Sequence, residues 1–178
     1  TLDPLAAVSL DNSLTDGLMA ESVNARLLVS PLPPIPFASA LQGALNYPYG
    51  CAEQTTSKGY AALILDQATS SMLGADGLDA KTRRERMEGA FGRLASMQVA
   101  NGNFSMWGDD GYVNPWLTPY ITEFLLDAKD AGFAVPDNVL QKALNRLSED
   151  LLSGGNQFYG QDDREKLKFA NQAYSGYV

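Results

Sequence analysis

Residues 98–107 read "QVANGNFSMW". A glutamine is followed by a polar turn built on Asn101 and Gly102, and then by Phe104, Met106 and Trp107 as apolar and aromatic positions. The pattern predicts a helix that stops at Gln98 and reverses at the glycine, because Gly and Asn favour turn conformations that interrupt a helix. On the N-terminal side, from about Asp79, Met87, Ala90, Phe91, Leu94 and Met97 recur at the spacing of one helix face, and "KTRRER" (81–86) reads as the solvated face. On the C-terminal side, Pro115 fits a first-turn role and Pro119 lies close enough to the helix start to be tolerated. Leu117, Ile121, Phe124, Leu125 and Ala128 make the next face.

Farther out the pattern stays helical. Phe37, Leu41, Ala44 and Leu45 share a face, and "YPYG" (47–50) ends that helix. A second helix starts near Cys51, with Tyr60, Leu63 and Ile64 as expected core positions, and frays around "SSMLGADG" (70–77). After Pro136 come Val139, Leu140, Ala143, Leu144, Leu147 and Leu151; a last helix from near Asp163 carries Leu167, Ala170, Tyr174 and Tyr177. Six helices are expected in all, with no strand pattern after Pro36. The start of the chain differs in kind. In "SVNARLLVS" (22–30), Val23, Ala25, Leu27 and Val29 alternate with other side chains at strand period, and "PLPPIP" (31–36) is an extended joint, since proline lacks the amide donor and restricts the residue before it. Residues 1–34 are therefore read as the end of a β-rich domain with its proline joint, and residues 35–178 as an all-α unit.

Composition narrows the function classes. The 178 residues carry 13 Lys and Arg against 21 Asp and Glu, a formal net charge of −8, which makes nucleic acid and anionic membrane surfaces poor partners. There is no histidine, which removes the commonest metal ligand and general base, so no metal or cofactor is expected. The one cysteine cannot form an internal disulfide. The chain opens on Thr1 and stops at Val178 within a helical pattern, so it reads as a fragment of a longer protein.

Between a bundle and a toroid, residues 98–107 favour the toroid. A helix ending in Gln, a Gly turn and then apolar and aromatic positions resembles the inter-helix turn of α/α-toroids such as the terpene cyclases, a likeness of architecture alone. Terpene-cyclase or glycosidase chemistry would need placed carboxylates. The aspartate pairs in "WGDDGY" (107–112) and "GQDDREK" (160–166) continue into neither DDxxD nor DxDD, so solvated loop carboxylates are the simpler reading.

The single cysteine sits in "YPYGCAEQTT" (47–56), at a helix start. Residues three apart on a helical turn share a side, so the Cys51 sulfur and the Gln54 carboxamide can meet, and displacement of ammonia by the thiol would close a thioester ring. The helix N-terminus stabilises a thiolate and its unpaired N–H groups can polarise the acyl carbonyl. The plainer alternative is a buried apolar cysteine beside Glu53 and Gln54 as first-turn and capping residues.

The run "YPYGCAEQTTSKGYAAL" (47–63) strongly resembles the thioester motif of the α2-macroglobulin and complement superfamily, CxEQ preceded by glycine, in its bacterial α2-macroglobulin form. "NPWLTPYITEFLLDAKDAG" (114–132) is similar to the "WLT" helix of that family's thioester domain, an α/α-toroid of which six helices would be the first half. The resemblance implies a broad-spectrum protease inhibitor that captures attacking proteases covalently through lysine amines, a single-use reagent and not a turnover enzyme. It implies that Cys51 supplies the sulfur and Gln54 the acyl group, with Gly50 and Glu53 as further matches to the motif. Tyr47 and Tyr49 are either core or staple residues or a cover that keeps water from the thioester, Tyr47 foremost. Family members that transfer to hydroxyl groups use a downstream histidine. This chain has none, so direct reaction with amines is expected. The resemblance also implies further domains of the same parent chain as partners, and a role in bacterial defence. The parent would be a periplasmic lipoprotein anchored to the inner membrane, with no membrane contact from these residues.

Overall fold

The computed structural model describes residues 16–19, 23, 37–46, 50–73, 77–108, 113–154 and 164–178. The chain divides into two compact units, Thr1–Pro36 and Phe37–Val178. The expected strand over 22–30, apart from Val23, and the proline joint lie outside the described residues. The second unit is all-α: α1 (Phe37–Leu45), α2 (Ala52–Ile64), α3 (Gln67–Leu73), α4 (Ala80–Met97), α5 (Leu117–Asp130), α6 (Asp137–Leu152) and α7 (Arg164–Tyr177). The main packings run from α1 to α2, from α2 to α4 and α5, and on through α6 to α7, a progression along part of an α/α-toroid.

Among the described residues seven helices stand where six were expected. The extra break falls at Leu65 and Asp66. Leu65 is fully buried and ends α2, while the Asp66 carboxylate accepts from the Thr69 backbone N–H at 2.7 Å and starts α3. The Thr69 backbone bond holds the Asp66 carboxyl below its usual range. An aspartate at a helix start satisfies an otherwise unpaired donor, so the sequence breaks the helix where its polarity changes. Asp79 does the same for α4, accepting from Lys81 N and Thr82 N at 2.9 Å each.

The core is built mainly from α4 and α5. Met87, Ala90, Phe91, Leu94 and Met97 of α4 and Leu117, Ile121, Phe124, Leu125 and Ala128 of α5 are all buried in one core, as their spacing predicted, and the Phe91 and Phe124 ring centroids lie 5.9 Å apart. Each large side chain removed from water in this way stabilises the fold by about 1.5–3 kcal/mol before entropy is counted. In α2 the expectation fails. Tyr60 and Leu63 are half-buried and Ile64 is exposed, while Ala52, Thr55, Thr56, Gly59, Ala61 and Ala62 are buried. Small residues let α2 lie close against α5, and a Cβ added at Gly59 would run into the Phe124 ring.

Three further expectations are corrected. Pro115 lies outside the first turn, because α5 begins at Leu117, and Pro119 occupies its third position, where a missing N–H costs no intrahelical bond. Leu144 is half-buried and Leu151 exposed, whereas Asp150 beside them is buried against Arg146. In "KTRRER", Arg83 is not a solvated side chain. Its Nε donates to Ala62 O at 2.9 Å, Nη2 donates to Leu63 O, and the guanidinium lies 5.0 Å from the Phe133 ring centroid. A cation on the last carbonyls of α2 complements the negative end of that helix.

The turn at residues 98–107 joins four helices. Ser105 N donates to Met97 O at 2.9 Å, closing the turn on α4. Gln98 Nε2 donates to Val139 O at 2.9 Å on α6. Phe104 is fully buried, and its N–H donates to Thr118 Oγ1 on α5 at 3.3 Å. The Met106 carbonyl accepts from Ala52 N at 2.9 Å, at the start of α2. Gly102 turns the corner at φ +91°, and a Cβ there would stand 2.5 Å from Lys142 O.

Candidate functional site

Gly50 leads the chain into α2 with its carbonyl held from two sides. Arg93 donates from Nε at 3.3 Å and from Nη2 at 3.2 Å, and Thr55 Oγ1 donates at 3.4 Å. Cys51 follows in extended conformation, φ −66° and ψ 170°, as the residue before the first helical turn. Its side chain is buried, 5% exposed. Cys51 Sγ accepts from Gln54 N at 3.5 Å, and Gln54 Oε1 accepts from Cys51 N at 3.3 Å. This reciprocal capping arrangement is usually built by Ser or Thr with Glu or Gln, and here a thiol takes the hydroxyl's place. Thiol and carboxamide are thereby held on the same turn. The Met106 carbonyl takes the Ala52 N–H, which ties the turn at 98–107 to the residue after Cys51.

Glu53 points elsewhere. Its Oε1 accepts from Ser57 Oγ at 3.1 Å, and Ser57 Oγ lies 3.0 Å from Tyr120 OH. The Tyr120 ring lies tilted against those of Trp116 and Tyr60, with centroids 5.5 Å and 5.8 Å away. Burial pushes the Tyr120 hydroxyl above its usual pKa against the Ser57 hydrogen bond, and the Glu53 and Glu123 charges push the same way as burial. The structure thus pairs Cys51 with Gln54, places Gly50 under Arg93, and directs Glu53 toward α5. Tyr47 and Tyr49 lie outside the described residues, as do Asp109, Asp110, Asp162 and Asp163 of the two aspartate pairs. Among the described residues, no group of three or more His, Cys, Asp or Glu side chains could hold a metal ion.

Sequence reading missed Arg93, Ser57, Tyr120 and the Met106 carbonyl. Arg93 lies outside the "KTRRER" run and carries no motif of its own. Ser57 and Tyr120 are 63 positions apart, so only the α2–α5 packing brings them together. The Met106 carbonyl left no signal in side-chain pattern at all.

The model of the A-macroglobulin TED domain matches residues 21–163. The chain belongs to that family. An alpha-2-macroglobulin of Xylella fastidiosa is 67% identical over 177 residues, covering 99% of this chain and 11% of the relative. Among solved structures of family members, Salmonella alpha-2-macroglobulin reacted with methylamine superposes with a TM-score of 0.74 at 34% identity, over 81% of this chain and 9% of that one. Trypsin-activated Escherichia coli alpha-2-macroglobulin gives 0.67 at 35% identity, over 72% of this chain and 9% of that one. The chain therefore spans about a tenth of the length of the family members it matches. The resemblance drawn from "YPYGCAEQTT" and the partial α/α-toroid both stand.

Proposed function

We propose that these residues are the thioester domain of a protease trap of the bacterial α2-macroglobulin type, with Cys51 and Gln54 joined as an internal thioester. The observation that carries this reading is the reciprocal Cys51–Gln54 arrangement at the start of α2, in a chain of the A-macroglobulin TED family. In forming the bond, the Cys51 sulfur attacks the Gln54 carboxamide carbon. The C–N bond breaks, and the amide nitrogen leaves as ammonia with the thiol proton. In the capture step a lysine amine of an attacking protease adds to the same carbon. The C–S bond breaks, an amide bond joins Gln54 to the protease, and the amine proton passes to the departing sulfur. One acyl group is used once, so the protein is an inhibitor and not a turnover enzyme.

Support for proteases as partners comes from the neighbour solved in its trypsin-activated form, and support for the acyl chemistry from the one solved after reaction with methylamine. The absence of histidine in this chain favours amines over hydroxyl acceptors. Tyr47 is proposed to shield the thioester from water, and the parent to be a periplasmic lipoprotein of the inner membrane, where it would serve bacterial defence beside the other domains of its own chain.

Intact mass tests the central claim. The full-length protein should be lighter than its sequence by one ammonia, and methylamine should add one equivalent while releasing one titratable thiol. A Cys51→Ala variant should show neither change. Full sequence mass with a thiol already free would overturn the reading. Methylamine should label far more than glycerol at equal exposure, and equal labelling would remove the amine preference. Tyr47→Gly should shorten the lifetime of the bond, and an unchanged decay would remove the shielding role. Localisation is checked by fractionation with radiolabelled palmitate; an unlabelled cytosolic protein would overturn it.

A further inference from the structure

The peptide unit between Gly50 and Cys51 is held at both ends. Its carbonyl oxygen accepts from Arg93 Nε at 3.3 Å, from Arg93 Nη2 at 3.2 Å and from Thr55 Oγ1 at 3.4 Å. Its N–H donates to Gln54 Oε1 at 3.3 Å. A peptide unit is planar, so a grip on the oxygen also aims the hydrogen on the opposite edge. A charged donor on the carbonyl draws electron density along the C–N bond and makes that N–H a stronger donor in turn. The carboxamide atom facing an N–H has to be the oxygen, since the nitrogen is itself a donor. It is also the atom that stays on the acyl carbon when ammonia leaves.

Helix stability gives no reason for a cation at this place. Arg83 and Arg93 both come from α4 and reach α2 near its opposite ends. Arg83 takes the Ala62 and Leu63 carbonyls, whereas Arg93 takes the carbonyl just before Cys51. The first complements the negative end of α2; the second brings a positive charge to the positive end, where the helix dipole opposes it. What Arg93 gains there is the Gly50 carbonyl.

We propose that Arg93 is a positioning residue for the acyl centre, holding the Gly50 carbonyl so that the Cys51 N–H stays on Gln54 Oε1. The proposal rests on the thioester reading and assigns the donor that reading needs. When an amine adds to the Gln54 acyl carbon, the C=O π pair moves onto Oε1. Collapse re-forms the C=O bond and expels the Cys51 sulfur, which takes the amine proton. An N–H already aimed at Oε1 stabilises the negative charge on it without reorganisation.

Full-length Arg93→Met, Arg93→Lys and Thr55→Val are compared with the parent for mass deficit, rate of thiol release by methylamine, and Tm. Arg93→Met keeps the stem and removes every donor, so the methylamine rate constant of molecules that carry the bond should fall at least about tenfold, with Tm near that of the parent. Arg93→Lys returns a charged donor and should bring the rate to within about threefold of the parent. Thr55→Val removes the third donor and should slow the reaction about twofold. A merely loosened turn has the opposite sign, because it admits water and amine and speeds both reactions. An equal or faster rate in Arg93→Met, or an Arg93→Lys rate no higher than that of Arg93→Met, would overturn the proposal. The same charge develops when the bond forms, so a folded Arg93→Met without the bond supports the proposal if Arg93→Lys has it, and its absence from both overturns it. A parent protein without the mass deficit removes the thioester reading itself, and the proposal with it.

Discussion

Helices α2 and α7 both pack against α5, and they do so by opposite means. α2 brings small side chains to the contact, down to a glycine against the Phe124 ring. α7 brings polar ones: Asn171 and Ser175 are buried, while Phe169 is 72% exposed and Tyr177 75%. Asn171 Nδ2 donates to the Pro115 carbonyl at 3.0 Å, and Tyr174 OH donates to Glu123. Neither helix hides the face that its large apolar residues would nominate. Contact distance and hydrogen-bond partners select the buried face in these two helices, whereas in α4 and α5 apolar periodicity alone reports it.

The contrast can be broken from the α2 side first. Phe124→Ala should cost about 3–5 kcal/mol, because the ring fills the space between Gly59, Tyr60 and Phe91, and urea unfolding should show a lower midpoint at unchanged slope. Gly59→Val should cost about 1–3 kcal/mol by overpacking against the same ring, read in the same assay. If Gly59→Val is neutral, the close approach of α2 to α5 is not what orders this region. On the α7 side, Asn171→Ala leaves the Pro115 carbonyl without its donor and should cost about 1 kcal/mol, with faster amide exchange in α7 as the local reading.

A pH series sharpens the same comparison with a smaller effect. Burial, followed by the Glu123 hydrogen bond and charge, raises the Tyr174 hydroxyl above its ordinary 10.0, and burial with the Asp127 and Glu123 charges does so for Tyr60. Both hydroxyls stay protonated in the folded state when the unfolded chain has begun to lose those protons. Their stabilisation is present below pH 10 and is lost as pH rises above it. Tm should therefore fall between pH 9.5 and about 11, and fall less steeply in Tyr174→Phe. The smallest effect is expected for Phe169→Ser, within about 0.5 kcal/mol, since that side chain is exposed. A loss above 1 kcal/mol would mean that Phe169 is covered in solution.

Much of the helical order was legible in the sequence for a physical reason. In α4 and α5 every expected core residue is buried, because two amphipathic helices with large side chains bury one continuous apolar face each. The Cys51 and Gln54 pair was legible because a spacing of three on one turn is a local property. What escaped was set by partners distant in the chain. Arg83 looks like any other cation in "KTRRER" until α2 ends against it. Leu65 and Asp66 mark a helix break that a longer apolar run concealed, although an Asp three residues before Thr69 is the capping signal that could have found it.

The hydrogen bond from Ala52 N to the Met106 carbonyl gives the site its own built-in clock. First-turn amides of a helix have no intrahelical acceptor and ordinarily trade their protons with solvent quickly. This one is protected by a carbonyl from a loop more than fifty positions away. Its deuterium uptake therefore times how often that loop lifts from the first turn of α2.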